Sequence, residues 1–260
     1  MNLSSGLRRV IVIGASNVTM SFPLLVNSIM QSLAGPVQIF AVQGHGRSFC
    51  QWSYVLHRGL PPVTECGLWD ALTVHPPAER IWGLVTDVGN DLIYGVDVET
   101  LVTKVQDVFH QLSRIHADLT YVRLPVERIL MLTDFRYRIV KKLLFPGPTV
   151  PWKIISQRVV ELDERVSRLA RDAGGTVITP RLEWYGQDPI HIRPAKRLSA
   201  WQEILDTWPF PDVPKTTWPS SHRSVQLWRT APARRSYWNR SFQTIQPCWR
   251  MTADKTLWQY

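Results

Sequence analysis

Five short runs of apolar, mostly β-branched residues alternate along the chain with longer segments of helical periodicity. The runs are RVIVIG (9–14), VQIFAVQ (37–43), IWGLVTDV (81–88), ADLTYVRLP (117–125) and GTVITP (175–180). Near-continuous apolarity over about five residues is typical of strands buried on both faces, as parallel strands are when helices cover each side of the sheet.

Four segments around these runs have the spacing of amphipathic helices. The segments are 21–35, 97–116, 152–175 and 193–208, and the third ends at Gly174-Gly175 as helices commonly do. Strands and helices in alternation predict right-handed βαβ crossovers. The predicted fold class is therefore α/β, with a parallel sheet between helices.

Small and polar residues follow four of the five runs, where an open α/β sheet binds its ligands. They are Gly14-Ala15-Ser16-Asn17, Gly44-His45-Gly46-Arg47-Ser48, Gly89-Asn90-Asp91 and, after the last run, Asp188-Pro189-Ile190-His191. The long connections 49–80 and 126–152 are expected to build the substrate pocket, since loops after strands often do.

Ser16, at the turn from the first strand into the first helix, is a candidate nucleophile. A serine hydroxyl needs a base within hydrogen-bond reach, and that base needs a third group to hold it. Asp188 can accept the Nδ1–H of His191 three residues later, which leaves Nε2 to take the serine proton. Taken singly, Ser16 also fits a helix N-cap and His191 a solvated loop histidine.

With the strand order 2-1-3-4-5, the loops after the second and third strands flank Ser16. The backbone N–H groups of Ser16 and Gly46 and the side-chain amide of Asn90 would then donate to an oxyanion on the attacked carbonyl. Such donors are worth roughly 3 to 4 kcal/mol each in acyl transfer. Gly44 is the alternative to Gly46, and both the GHG and GND segments also suit ordinary turns.

Taken together, these segments resemble the four sequence blocks of the SGNH hydrolases, also called the GDSL esterase/lipase superfamily. The matching residues are Gly14-x-Ser16, Gly46, Gly89-Asn90-Asp91 and Asp188-x-x-His191. The resemblance covers about residues 8–206. It implies a flavodoxin-like, three-layer αβα sandwich on a five-stranded parallel sheet of order 2-1-3-4-5.

The resemblance also implies a role for each matching residue. Ser16 would be the nucleophile, His191 the base and Asp188 its orienting partner, with Ser16, Gly46 and Asn90 as the oxyanion hole. Two positions depart from the family pattern: Ala15 replaces an Asp that can brace the loop, and HIRP replaces the usual His-Pro.

The implied activity is that of a serine esterase on an O-acyl ester, either an acetylated carbohydrate or a small acyl ester. Neither a metal nor an organic cofactor is implied, and acyl transfer to another acceptor would share the first half of the reaction. Dinucleotide-binding and P-loop functions are disfavoured because GASNVTM has one glycine and no lysine. Arg47 and Arg193, beside the proposed site, would suit an anionic substrate.

Charge and tryptophan are concentrated near the end of the chain. The net charge is +9, and residues 207–260 hold eight Lys and Arg against two Asp, together with six of the twelve Trp. We therefore expect an α/β domain at 8–206 and a basic extension at 207–260. The alternative function is a catalytically silent protein whose extension binds nucleic acid or an anionic membrane surface. The other interpretation is that the Trp residues of the extension pack against the αβα sandwich and have no binding role.

The cysteine count and the lack of long apolar segments limit the class of protein further. Cys50, Cys66 and Cys248 form no C-x-x-C pair or zinc-spaced cluster, so neither a disulfide framework nor a structural metal is predicted. No segment approaches the roughly 20 apolar residues of a membrane span, and no signal-peptide pattern precedes Val10. A cytoplasmic location is the resulting expectation.

Overall fold

The computed structural model describes residues 6–55, 57–138, 150–210, 216–238 and 240–260. Its strands are β1 (Arg8–Ile13), β2 (Val37–Val42), β3 (Ser53–Val55), β4 (Arg58–Leu60), β5 (Arg80–Val85), β6 (Asp118–Val122), β7 (Thr176–Ile178), β8 (Arg234–Tyr237), β9 (Arg240–Gln243), β10 (Trp249–Arg250) and β11 (Lys255–Gln259).

Along the chain, most of the helices alternate with the strands. They are α1 (Ser16–Met20), α2 (Phe22–Ser32), α3 (Leu68–Val74), α4 (Asn90–Ile93), α5 (Val98–Arg114), α6 (Val126–Leu130), α7 (Trp152–Asp172), α8 (Arg197–Leu205) and α9 (Ser221–Trp228). Among the described residues, no helix is both long enough and apolar enough to cross a membrane.

The main sheet of the described residues has seven strands, so the prediction of five is wrong. Its order is β10-β11-β2-β1-β5-β6-β7, in which the five apolar runs form the parallel series from β2 to β7. β11 adds to the edge of β2 in parallel, with Leu257 opposite Ile39, and β10 pairs antiparallel with β11. Part of the 207–260 extension thus completes the sheet, and the boundary at residue 206 stays a prediction.

Helices cover both faces of this sheet and form two apolar cores. Alternation along β1 directs Val10 and Val12 into the core beneath α2 and α8, and Ile11 and Ile13 into the core beneath α5 and α7. This layering explains why the strand sequences are apolar throughout. It also leaves the loops at the carboxyl edge of the sheet free to build a site.

A second, antiparallel sheet lies beside the loop that follows β2. Its order is β3-β4-β8-β9, which joins the connection 49–80 to the extension. A side chain at Gly44 would overlap that of Leu60 in β4, so the two segments approach closely only because residue 44 is glycine.

The six Trp residues of the extension do not share one environment. Trp208 is buried at 3% exposure, whereas Trp218, Trp228 and Trp238 are 46%, 49% and 68% exposed. Trp258 stacks on Phe40 of β2 with 5.7 Å between ring centroids. Packing on the sandwich therefore accounts for some of these residues and leaves others at the surface.

Candidate active site

Ser16, His191 and Asp188 meet at the carboxyl edge of the main sheet. Nε2 of His191 lies 2.8 Å from Oγ of Ser16, and Nδ1 of the same ring lies 2.6 Å from Oδ2 of Asp188. Ser16 follows β1 and is 9% exposed, whereas the other two lie in the loop that precedes α8. Side chains far apart in the sequence thus form one hydrogen-bonded chain.

The ionisation of Asp188 determines how the protons of this chain are arranged. Desolvation acts to raise the pKa of Asp188, but the hydrogen bond and charge of His191 and two backbone N–H groups outweigh it, so the pKa is lowered from 3.8. Those N–H groups, of Ile190 and His191, donate to Oδ1 at 3.1 and 3.2 Å. The ionised carboxylate accepts Nδ1–H, which leaves Nε2 to accept the Ser16 hydroxyl.

Gly14 makes the turn before Ser16 possible. A Cβ at this position would lie 2.5 Å from Cγ2 of Val18 and 2.8 Å from Cγ2 of Thr86, closer than van der Waals contact allows. The small residue therefore lets the end of β1 pass between the first helix and the end of β5. Ser16 is held at the edge of the sheet as a result.

Two residues to which the sequence analysis gave no role hold this turn. Oδ2 of Asp87 accepts the backbone N–H groups of Ala15 and Asn17, both at 3.0 Å, and Oδ1 accepts the side-chain amide of Asn17 at 2.7 Å. Asp87 has a left-handed φ of 59°, a conformation that Asp tolerates better than most residues. Its position at the end of β5 is the sequence signal that could have identified it.

Asn17 links the Ser16 turn to the loop that carries His191. Its side-chain amide also donates to the backbone oxygen of Ile190 at 2.9 Å, and its Oδ1 accepts the N–H of Ile192 at 2.8 Å. These two bonds lie on either side of His191 along the chain. The position of the imidazole is therefore coupled to the position of Ser16.

The proposed oxyanion donors lie in the turns after β1, β2 and β5. The backbone N–H groups of Ser16 and Gly46 have no hydrogen-bond acceptor among the described residues, and Asp87 takes the N–H groups on either side of Ser16. Nδ2 of Asn90 donates to the backbone oxygen of Arg47 at 3.1 Å. An amide nitrogen carries two hydrogens, so one remains for a ligand.

The turn that contains Gly46 is fixed from several directions. Gly46 has a φ of 66°, which favours glycine, and the N–H of Arg47 donates to the backbone oxygen of Gly44 at 3.0 Å. The hydroxyl of Tyr94 donates to the backbone oxygen of Gly46 at 2.7 Å. The Gly46 peptide is therefore preorganised.

Asp91 anchors the chain that follows this turn. Its carboxylate accepts the hydroxyl of Ser48 and the backbone N–H groups of Phe49 and Cys50, at 3.0 and 3.1 Å for the latter two. Burial raises the pKa of Asp91, while these donors lower it and leave a net rise. The GND segment thus positions the loop through Asp91 and presents Asn90 to the site.

An apolar cavity of about 90 Å³ opens to solvent beside Ser16. Its polar edge is formed by Ser16, Asn17, Asp87 and Asn90. The remaining lining is almost wholly apolar and comprises Gly89, Leu92, Ile93, Leu124, Pro125, Ile129, Leu132, Tyr137, Trp152, Ile155, Val159, Pro189 and Ile190. Part of the connection 126–152 therefore lines the cavity, while residues 139–149 lie outside the described ranges.

Arg47 lies beside Gly46, but the expectation that its guanidinium would suit an anionic substrate is wrong, because the side chain is buried. It is 1% exposed, and its Nη1 donates to the backbone oxygen of Tyr260 at 2.9 Å. Burial lowers the pKa of Arg47 to about 10. Arg193 is exposed and donates to the backbone oxygen of Glu183 at 2.6 Å.

Within the described ranges, no group of three or more His, Cys, Asp and Glu side chains is arranged to hold a metal ion. The clustered chemistry at the sheet edge is that of a hydroxyl, an imidazole, a carboxylate and unpaired N–H donors. Such a set can move one proton and stabilise one negative charge.

No protein-family model and no curated protein matches the sequence. Similar solved structures include the psychrotrophic esterase EstA from Pseudoalteromonas sp., with 10% identity over 77% of this chain and 97% of that chain and a TM-score of 0.45. AlinE4, described as an SGNH-hydrolase family esterase, has 14% identity over 77% and 92% and a TM-score of 0.41. The M. smegmatis aryl esterase has 11% identity over 73% and 93% and a TM-score of 0.46. Since all three TM-scores are below 0.5, the chemistry of this chain has to be inferred from its own residues.

Proposed function

We propose that this protein is a serine esterase of the SGNH type that hydrolyses an ester of an apolar acyl group. The observation that carries the proposal is the continuous hydrogen-bonded chain from Oγ of Ser16 through His191 to Asp188, with separations of 2.8 and 2.6 Å. A serine hydroxyl next to an oriented imidazole is the arrangement that nucleophilic catalysis requires.

In the first half of the reaction, Oγ of Ser16 attacks the ester carbonyl while its proton passes to Nε2 of His191. Asp188 stabilises the imidazolium that forms. The carbonyl oxygen becomes an oxyanion, which accepts hydrogen bonds from the backbone N–H groups of Ser16 and Gly46 and from the Asn90 amide. The bond to the leaving oxygen then breaks, and that oxygen takes the proton from Nε2.

In the second half, water attacks the acyl-serine ester and gives a proton to Nε2 of His191. The tetrahedral intermediate uses the same donors, and its collapse returns the proton to Oγ of Ser16 and releases the carboxylic acid. All groups involved belong to the chain, so the reaction needs only the ester and water.

The lining of the cavity favours an apolar acyl group over the acetyl group of a carbohydrate ester. Lining side chains such as Leu124, Ile129 and Ile155 offer no hydrogen-bond partner for sugar hydroxyls. Each methylene buried in such a cavity contributes about 0.8 kcal/mol. An acyl chain of several carbons would therefore bind better than acetyl.

The test is hydrolysis of neutral phenyl esters with acyl chains from acetyl to decanoyl. We expect turnover by the wild type and its loss in Ser16→Ala, whereas Ser113→Ala, an exposed serine on α5, retains full activity. Turnover that survives in Ser16→Ala, or its absence for every ester with the folded wild type, would contradict the proposal. In the second case, a catalytically silent binding protein would explain the structure better.

A further inference from the structure

Two unlike surfaces flank Ser16 on opposite sides. In the main sheet β1 lies between β2 and β5, so the loops after β5 and β6, which line the apolar cavity, lie on one side of Ser16. The loop after β2 lies on the other side, and the antiparallel sheet β3-β4-β8-β9 packs against it through Leu60 and Gly44. The apolar cavity and the antiparallel sheet therefore lie on opposite sides of β1.

The antiparallel sheet presents a cationic face. Its strands hold Arg58, Arg234, Arg235 and Arg240 and contain no Asp or Glu. Arg58 and Arg240 both lie opposite Tyr237, one on each neighbouring strand, so their side chains share its face of the sheet. Arg235 lies on the same face because it is two residues before Tyr237 in β8. Three guanidinium groups therefore lie on one face with no carboxylate from the same strands to neutralise them.

Arg58 is the member of this set nearest the loop of the proposed oxyanion hole. Its Nη2 lies 3.4 Å from the position that a Cβ on Gly44 would occupy, two residues before Gly46. The side chain is half-buried, and among the described residues it forms no hydrogen bond and no salt bridge. A partly desolvated cation without a partner is costly, and binding an anion offsets that cost.

His45 lies close enough to Arg58 to be affected by its charge. Burial lowers the pKa of Arg58, with a smaller lowering from Arg235 and an opposing effect of Tyr237. The pKa of His45 is lowered by burial first, and then by the charges of Arg58 and His191. His45, between Gly44 and Gly46 in the loop after β2, therefore lies within electrostatic reach of both Arg58 and His191.

We infer that Arg58, supported by Arg235, binds an anionic group on the leaving alcohol of the ester. The preferred substrate then carries an apolar acyl chain, which occupies the cavity, and an alcohol with a phosphate, sulfate or carboxylate group. This inference rests on the proposed function and adds to it the charge of the leaving group. A guanidinium suits such oxyanions because its donors match two oxygens at once.

The test compares two octanoyl phenyl esters that differ only in a sulfonate on the phenyl ring. The readout is the ratio of kcat/KM for the sulfonated ester to that for the neutral ester. We expect this ratio to fall about tenfold or more in Arg58→Gln, chiefly through KM, and to be partly retained in Arg58→Lys. Arg168→Gln, an exposed residue of α7, makes the same change in net charge and should leave the ratio unchanged.

An unchanged ratio in Arg58→Gln, with or without an equal loss of activity on both esters, would overturn the anion subsite. It would leave the esterase proposal intact. Thermal unfolding shows whether each variant is folded. If Arg58→Gln is not, the ratio in Arg58→Lys is compared with that of the wild type instead. If neither ester is hydrolysed, calorimetric titration with phenyl phosphate still decides. We expect the wild type to bind it at least about tenfold more tightly than Arg58→Gln, and equal affinity would overturn the inference.

Discussion

Asp87 holds Asn17 by two hydrogen bonds, one to the backbone N–H at 3.0 Å and one to the side-chain amide at 2.7 Å. It also takes the N–H of Ala15, so one carboxylate from the end of β5 fixes both neighbours of Ser16. Ala15 lacks the carboxylate expected at its position from the family resemblance. Asp87 supplies a carboxylate to the same loop from the end of β5, and we expect it to compensate for that departure.

Asp87→Asn tests this compensation. The substitution removes the charge and replaces one acceptor oxygen with a donor, so at least one of the three bonds is lost. We expect the free energy of unfolding to fall by about 1.5 to 3 kcal/mol and kcat to fall at least about tenfold, with a small change in KM. Chemical denaturation and ester hydrolysis measure the two effects.

Asp107→Asn is the matched control for that change. Asp107 is exposed on α5, and none of its hydrogen bonds or ion pairs links it to the site. If Asp87→Asn behaved like this control, with kcat and stability both unchanged, Asp87 would not hold the Ser16 turn.

The lowered pKa of Asp188 leads to a prediction about stability at low pH. A carboxyl whose folded pKa is below its unfolded value stabilises the fold above the unfolded pKa, near 3.8, and loses that contribution as pH falls through the folded pKa. The stability advantage of the wild type over Asp188→Asn should therefore be present at pH 7 and shrink below about pH 4. Denaturation curves at several pH values measure it.

Asp172→Asn, at an exposed position on α7, is the control. Its free energy of unfolding should differ from that of the wild type by a small amount that does not change with pH. In the same Asp188→Asn variant, kcat should fall by about four orders of magnitude, because the imidazole loses its orienting acceptor. A wild-type advantage over Asp188→Asn that did not shrink in acid would contradict the ionised state assigned to Asp188.

The apolar cavity predicts how acyl-chain length affects turnover. For neutral esters, kcat/KM should rise about fourfold per added methylene until the cavity is full. Leu132→Phe narrows the cavity and should move the optimum to shorter chains, whereas Leu130→Phe, outside the lining and 47% exposed, should not. The same optimum in all three proteins would place the acyl chain elsewhere.

The pairing of β11 with β2 predicts that the extension contributes to stability. Leu257 is fully buried in the core beneath α2 and α8, so Leu257→Ala should lower the free energy of unfolding by about 2 to 5 kcal/mol. Val225→Ala, at a position 48% exposed, should have a much smaller effect. Equal, small losses would mean that the extension is dispensable for the fold.

The sequence predicted the parallel strands because burial on both faces leaves a strong local pattern. The segments after those strands could be predicted to meet, since the carboxyl ends of parallel strands share one edge. Ser16, His191 and Asp188 were found in this way. β11 was not, because in Lys255–Gln259 polar and apolar residues are mixed over only five positions.

Contacts between loops were harder to predict from the sequence. The role of Asp87 depends on the position of the β5 end against the turn at Ala15, which no local pattern records. Arg47 was expected to suit an anionic substrate beside the site, and its side chain is instead buried against Tyr260. Arg58 lies near Gly44 because β4 packs against the loop after β2, a contact that no local sequence pattern records.

Ser16 can act as a nucleophile only if His191 accepts its proton. The most direct test is labelling of the folded protein with a fluorophosphonate probe, followed by mass spectrometry of the labelled peptides. We expect one adduct on Ser16 that disappears in Ser16→Ala, is strongly reduced in His191→Ala and persists in His110→Ala, an exposed position on α5. An adduct elsewhere, or no adduct on the folded wild type, would contradict the claim.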